Sequence, residues 1–361
     1  MAKKDENPAE PGSINPAIRS KLAAKRKPSL SIEAMRDAIV SGNRVVLAQA
    51  ITLIESTRKE QQQLAQELIE ACLLHANQSM RMGITGSPGV GKSTFIEAFG
   101  LDLIAAGHRV AVLAIDPSSQ LTRGSILGDK TRMMELSNHP DAFIRPSAAG
   151  DSLGGVARKT RETIILCEAA GFDRIIVETV GVGQSEIAVH SMVDFFMLLL
   201  LPGAGDELQG IKRGVVEMAD LLVVNKADGE REALAKKARR AYANALHLFP
   251  PKESQWPVKV LSCSALQKEG IEKIRKELIN YQQFAQQPVA AALSHFEKRR
   301  RAQALYWMNE TIERALRQMF YEHPAVTALQ EKVKSEVLSG TVSPFRGAQL
   351  LAEAYKKRAD G

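Results

Sequence analysis

Gly86-Ser87-Pro88-Gly89-Val90-Gly91-Lys92-Ser93 and Asn225-Lys226-Ala227-Asp228 carry the most chemistry in this chain. Each follows an apolar run of strand character, Met82 to Thr85 and Leu221 to Val224. Ligand loops of an open α/β sheet sit at the carboxyl ends of its strands. The first run fits G-x-x-x-x-G-K-[ST] in its required context of strand, loop and helix. Its glycines let backbone N–H groups converge on anionic oxygens, and the helix opening near Lys92 adds its positive end. Lys92 is placed against the β- and γ-phosphates, with the Ser93 hydroxyl on Mg²⁺.

The second run suits guanine. The Asp228 carboxylate can accept from the N1–H and exocyclic N2 amino group of the base, a donor pair that adenine lacks. Lys226 covers the base plane with its stem. Val258 to Leu261 then reads as another strand ending in Ser262-Cys263-Ser264-Ala265. In GTPases a Ser-Ala pair at this place in the order supplies a backbone N–H to guanine O6. The ordered set predicts binding and hydrolysis of GTP.

Three loops between these runs need roles. Asp116-Pro117-Ser118-Ser119 follows the strand Val110 to Ile115, and Asp129 lies further along the same connection. Mg²⁺ takes carboxylate oxygens directly or through water, and either acid can serve; Asp116 can also be a helix N-cap. Glu178-Thr179-Val180-Gly181 follows the strand Ile175 to Val177. It has the form of a second switch, in which the acid holds Mg²⁺ or a water and a glycine N–H senses the γ-phosphate.

Strand-like runs at 82–85, 109–115, 142–146, 174–178, 195–201, 221–225 and 258–262 alternate with helical stretches. The fold class expected is therefore α/β, a P-loop NTPase with a mostly parallel sheet, flanked by N-terminal and C-terminal helical segments. The expected organisation is a disordered tail over 1–28, N-terminal helices over 29–79, the GTPase domain over 80–268 and a helical segment over 269–361. Two amphipathic helices, near 32–56 and 58–78, follow an N-cap at Ser29 or Ser31. Breaks are expected at Pro288, Pro324 and Pro344.

Composition excludes some classes. The 361 residues are 45% hydrophobic, and no apolar run approaches a membrane span. Cys72, Cys167 and Cys263 are too scattered for a disulfide framework or a zinc site, which suits the cytoplasm. Asp5, Glu6 and Glu10 argue against a mitochondrial presequence. The net charge of +7 raises nucleic acid as a partner. However, basic clusters such as Lys236 to Arg240 and Lys298 to Arg301 lie in helical stretches and read as solvated faces, so neither nucleic acid nor membrane is expected.

Several longer runs resemble one family. They are residues 83–93, the Asp-Pro-Ser-Ser turn, residues 124–133, residues 178–186 and Leu201-Pro202-Gly203-Ala204-Gly205-Asp206-Glu207-Leu208-Gln209-Gly210-Ile211-Lys212. They are similar to the MeaB/ArgK GTPases, chaperones of adenosylcobalamin-dependent methylmalonyl-CoA mutase and related acyl-CoA mutases. The resemblance covers roughly residues 30 to 360. It implies a homodimer held partly by the C-terminal helices, and Mg²⁺- and GTP-dependent protection and cofactor gating of such a mutase. It carries Lys92, Glu178 and Lys212 onto catalytic roles, Lys212 in a third loop that links the mutase to hydrolysis. Ser93, Asp116, Asp129 and Glu178 become metal residues. GTP or GDP is assigned to Gly86, Pro88, Gly89, Val90, Gly91, Lys92, Ser93, Thr94, Gly181, Asn225, Lys226, Asp228, Ser264, Ala265 and Leu266. Two loops depart from the family pattern, at Arg123-Gly124 and at Ala148-Ala149-Gly150-Asp151, and these bear on partner contacts. The alternatives are a metal-insertion GTPase, which should show Cys or His in ligand spacing, and a kinase or ATPase linked to basic amino acid transport, which needs a substrate pocket with a catalytic base.

Overall fold

The computed structural model describes residues 30–76, 79–115, 133–146, 153–179, 185–203, 213–288 and 293–356. The expected tail over 1–28 lies outside them, as do Arg123, Gly124 and the 148–151 turn.

Seven strands form one sheet: β1 (Met80–Gly86), β2 (Val110–Ile115), β3 (Ala142–Arg145), β4 (Arg174–Thr179), β5 (Phe195–Leu200), β6 (Leu221–Val224) and β7 (Lys259–Ser262). Their order is β3-β2-β4-β1-β5-β6-β7, and every pairing is parallel. All seven expected strands are present. β1, β2, β4, β5 and β6 are buried along their whole length, because helices cover both faces and continuous apolar runs are then favoured. β7 closes one edge and is only partly buried.

Thirteen α-helices lie among the described residues: α1 (Ile32–Val40), α2 (Arg44–Glu55), α3 (Lys59–Leu73), α4 (Lys92–Ala105), α5 (Met134–Asn138), α6 (Leu153–Ala169), α7 (Ser185–His190), α8 (Arg213–Met218), α9 (Glu232–Leu246), α10 (Ile271–Gln286), α11 (His295–Tyr321), α12 (Pro324–Leu338) and α13 (Pro344–Lys356). The expected single helix over 32–56 is two. Gly42 takes φ 83° and Asn43 caps α2, its side chain accepting from Val45 N and Val46 N. Those two residues end one helix and start the next. Ser31 is the N-cap of α1. Pro324 and Pro344 open α12 and α13.

The chain divides into two compact units. One holds the described residues before Ser79 together with Glu162–Phe172; its buried side chains include Ile39, Leu47, Ile51, Ile54 and Leu68. The other runs over Ser79–Arg161 and from Asp173 onward, and contains the sheet. Its core packs Phe95 and Phe99 of α4 and Tyr281 of α10 against β1 and β5.

At the amino ends of the strands three carboxylates accept from strand backbones. Asp194 receives Arg81 N, Asp220 receives Phe196 N and Asp173 receives Arg109 N, at 2.9, 2.9 and 2.8 Å. The basic run of α11, read above as a solvated face, meets two of them. Arg300 contacts Asp194 at 2.8 Å and Arg299 contacts Asp220 at 3.3 Å, each arginine side chain only 13% exposed. Lys252 joins Asp220 at 2.6 Å. Burial alone would push the Asp220 carboxyl up, but Arg299 and Lys252 hold it below the usual range. Breaking such a buried pair costs about 3–5 kcal/mol, so these arginines anchor α11 to the sheet.

Candidate nucleotide site

The run 86–93 lies between β1 and α4, as its pattern requires. Gly91 is the residue before α4, at φ 90°, and Gly89 lies at φ 79°, both in the left-handed region that suits glycine. A Cβ on Gly86 would come within 2.7 Å of the Leu199 carbonyl oxygen, and one on Gly91 within 3.0 Å of Asn225 Nδ2. Side chains are therefore excluded from the cradle. The first helical bond runs from Phe95 N to Gly91 O at 2.9 Å. The N–H groups of Lys92, Ser93 and Thr94 precede it and have no carbonyl one turn back, a ready-made anion site.

Lys92 Nζ arches over the loop, donating to Gly86 O at 2.7 Å and Ser87 O at 3.3 Å. Burial lowers its pKa below the ordinary lysine value, against the opposing charges of Glu178 and Glu186. Glu178 lies at the end of β4 and is 5% exposed. Its neighbour Thr179 donates to Thr85 Oγ1 at 2.8 Å, which ties the carboxyl ends of β4 and β1 together beneath the phosphate loop.

Asn225 bridges three loops. Its Nδ2 donates to Val90 O at 2.9 Å, and its Oδ1 accepts from Ala265 N at 3.1 Å and from Cys263 Sγ at 3.5 Å. Lys226 takes φ 58°, and its Cε lies 3.6 Å from where a Gly91 Cβ would be. The lysine stem therefore borders the phosphate loop. Ser264 Oγ donates to Asp228 Oδ2 and accepts from Gln267 N at 3.1 Å. Paired backbone bonds between Ser264 and Glu269 at 3.0 Å hold this turn. One Asp228 oxygen is thus fixed by Ser264. Of the Ser-Ala pair expected to supply a backbone N–H to guanine O6, Ala265 N donates to Asn225 here, while Leu266 is 74% exposed.

Asp116, Asp129, Gly181 and Lys212 lie outside the described residues. The structure does bring Lys92, Ser93, Glu178, Asn225, Lys226, Asp228, Ser264 and Ala265 to the carboxyl edge of one sheet. Glu186 was missed as a site residue. It is 1% exposed on α7 and its charge acts on Lys92. The available signal was an acid in the short run Glu186-Ile187-Ala188-Val189, just after the second switch.

A sequence profile described as "Methylmalonyl Co-A mutase-associated GTPase MeaB" matches residues 47–325. The chain belongs to the MeaB family of GTPases. Among relatives, the mouse "Methylmalonic aciduria type A homolog, mitochondrial" is 44% identical over 337 residues, covering 91% of this chain and 80% of that one. "GTPase ArgK" of Escherichia coli is 43% identical over 312 residues, covering 86% and 93%. A solved structure titled "Crystal structure of LAO/AO transport system kinase" matches with a TM-score of 0.70 and 36% identity, covering 90% of this chain and 99% of that one. This MeaB-family chain is accordingly a P-loop GTP hydrolase. The residues present fit such a nucleotide: a glycine-walled loop, a lysine across it and the Asp228 carboxylate held by Ser264. No group of three or more metal-ligating side chains is found among the described residues. None of the described helices is long and apolar enough to cross a membrane.

Proposed function

We propose that this MeaB-family GTPase is a chaperone that protects, and gates cofactor loading of, an adenosylcobalamin-dependent acyl-CoA mutase of the methylmalonyl-CoA mutase type. The observation that carries this reading is the family match over residues 47–325, whose description names that mutase. The mouse relative's printed name points the same way.

In the proposed site the loop N–H groups and Lys92 neutralise the β- and γ-phosphates, while Asp228 selects guanine and Asn225 keeps the two halves in register. Ser93 and Glu178, with Asp116 and Asp129, would hold Mg²⁺, which when bound neutralises charge on the phosphate oxygens. Glu178 also orients the attacking water. Lys212 and Gly181 complete the reading as sensors of partner and γ-phosphate.

The protein acts as a homodimer in the cytoplasm. Dimerisation is supported by α11, which shows Leu305, Met308, Ile312, Leu316 and Met319 at 48–59% exposure and at three- and four-residue spacing, the pattern of a helix awaiting an apolar partner. The cytoplasm is supported by three free, buried cysteines.

The test is GTP turnover with and without a purified adenosylcobalamin-dependent mutase, for wild type and Lys212→Ala. A stimulated rate in wild type that is lost in the variant is expected. Absence of stimulation in wild type would remove the mutase from this reading.

A further inference from the structure

Helix α7 leads from the second-switch region to β5 and lies directly on β1. Val189 and Val193 press on Gly83, where a Cβ would come within 2.8 and 3.0 Å of their methyl groups. The His190 ring meets Phe196 edge-on at 5.6 Å. Six residues make α7 only about 9 Å long, so a shift at one end moves the other as a rigid body. Its first turn carries Glu186, buried, whose charge opposes the lowering of the Lys92 pKa by burial.

The connection that follows α7 is held by α11. The orphan carbonyls at a helix end need donors. Ser191 meets two of them, its N donating to Ile187 O at 3.0 Å and its Oγ to Ala188 O at 2.7 Å. The residues after the helix are in turn held from one face of a helix more than 100 residues later: Trp307 Nε1 donates to Ser191 O at 3.1 Å and Gln303 Nε2 to Val193 O at 2.8 Å. Arg300 adds bonds to both Asp194 oxygens at 2.9 and 2.8 Å. Positions 300, 303 and 307 share one helix face, which runs in step with residues 191–194. Arg299 and Arg300 already anchor α11 to the sheet. The Gln303 and Trp307 bonds go to backbone carbonyls and fix something different, the connection from α7 to β5, whose first residue Ser191 bonds back to the end of α7.

We propose that Gln303 and Trp307 are positioning residues for GTP hydrolysis, acting through residues 191–194 on α7 and so on β1, the strand that carries the phosphate loop. The proposal rests on the GTPase reading of the site. It makes α11 a two-faced helix, with one face setting α7 and the opposite face carrying the exposed apolar stripe.

The experiment compares Gln303→Met and Trp307→Phe with wild type. Each removes one N–H donor while keeping most of the side-chain volume. Single-turnover GTP hydrolysis, GDP affinity and thermal melting are measured. A displaced α7 should slow the chemical step roughly ten- to a hundredfold, since misplacement near 1 Å can cost that much. GDP affinity should stay within about twofold, because the phosphate loop and guanine loop keep their contacts. If Trp307→Phe fails to fold, Gln303→Met decides. The chain has two tryptophans, so in a Trp256→Phe background Trp307 emission reads this contact alone. It should differ between GDP and a non-hydrolysable GTP analogue.

Hydrolysis by the variants within twofold of wild type would overturn the proposal. So would a rate loss matched by equal losses in GDP affinity and melting, or emission indifferent to the nucleotide. Wild type that fails to hydrolyse GTP would instead overturn the reading of the site itself.

Discussion

The Asn225 side-chain amide donates to the Val90 carbonyl at 2.9 Å, joining the Asn225–Asp228 turn to the phosphate loop 135 residues earlier. The same side chain receives Ala265 N at 3.1 Å. One buried asparagine, 1% exposed, therefore sets the distance between the phosphate loop and the Asn225–Asp228 turn.

Asn225→Ala leaves the Val90 carbonyl and the Ala265 N–H without this partner. Each unsatisfied buried group costs about 1–3 kcal/mol. GTP and GDP affinity should fall together, by roughly ten- to a hundredfold, and the melting temperature should drop. Asn225→Asp keeps the acceptor for Ala265 and should lose less. Titration calorimetry showing wild-type affinity in Asn225→Ala would remove the bridge from the account.

Asp228 has one oxygen fixed by Ser264. Asp228→Asn replaces an acceptor by a donor, so guanine preference should be lost. Xanthosine triphosphate, whose C2 carbonyl accepts where guanine donates, should gain. Ser264→Ala should weaken GTP by about tenfold or less without changing base preference. Competition among GTP, ATP and XTP measures all three, and equal ATP and GTP affinity in wild type would defeat the assignment.

His190 titrates far below its ordinary range, at about 4 against 6.5, chiefly through burial and then through the charge of Arg299. Between those values the unfolded chain binds a proton that the folded one refuses. Stability should therefore be fully present above pH 6.5 and fall on acidification toward pH 4, by about 1.4 kcal/mol per pH unit from this group. His190→Gln should flatten the slope by up to one proton. Urea midpoints at pH 7, 6 and 5 for both proteins check this, and parallel slopes would contradict it.

The α11 stripe should be the subunit contact. Ile312→Glu, or Leu316→Glu, places a charge among exposed apolar side chains and should convert a dimer to a monomer while leaving the melting of the sheet-bearing unit nearly unchanged. Light scattering after size exclusion gives the mass directly. A dimer that survives both changes would place the interface elsewhere.

The chemistry-bearing loops were legible because their requirements are local. A strand, a glycine-rich turn and a helix opening at Lys92 lie within a few residues of each other, and so do β6 and the Asn225–Asp228 turn. Continuous apolar runs such as Phe195 to Leu200 likewise announce a parallel strand covered on both faces. The break at Gly42-Asn43 was equally local, yet the surrounding helical periodicity masked it.

Long-range pairing decided the rest. A run of lysines and arginines on α11 looks solvated until the fold brings buried Asp194 and Asp220 beneath Arg300 and Arg299. Each acid stands one residue before a strand, in Val193-Asp194-Phe195 and Ala219-Asp220-Leu221, but nothing nearby reveals its cation. Nor does spacing reveal that Asn225 reaches Val90, or that Glu186 acts on Lys92. Periodicity reports which face of a segment is apolar, whereas the partner of a buried polar group is set by strand order and helix docking. Both arise only when the sheet assembles.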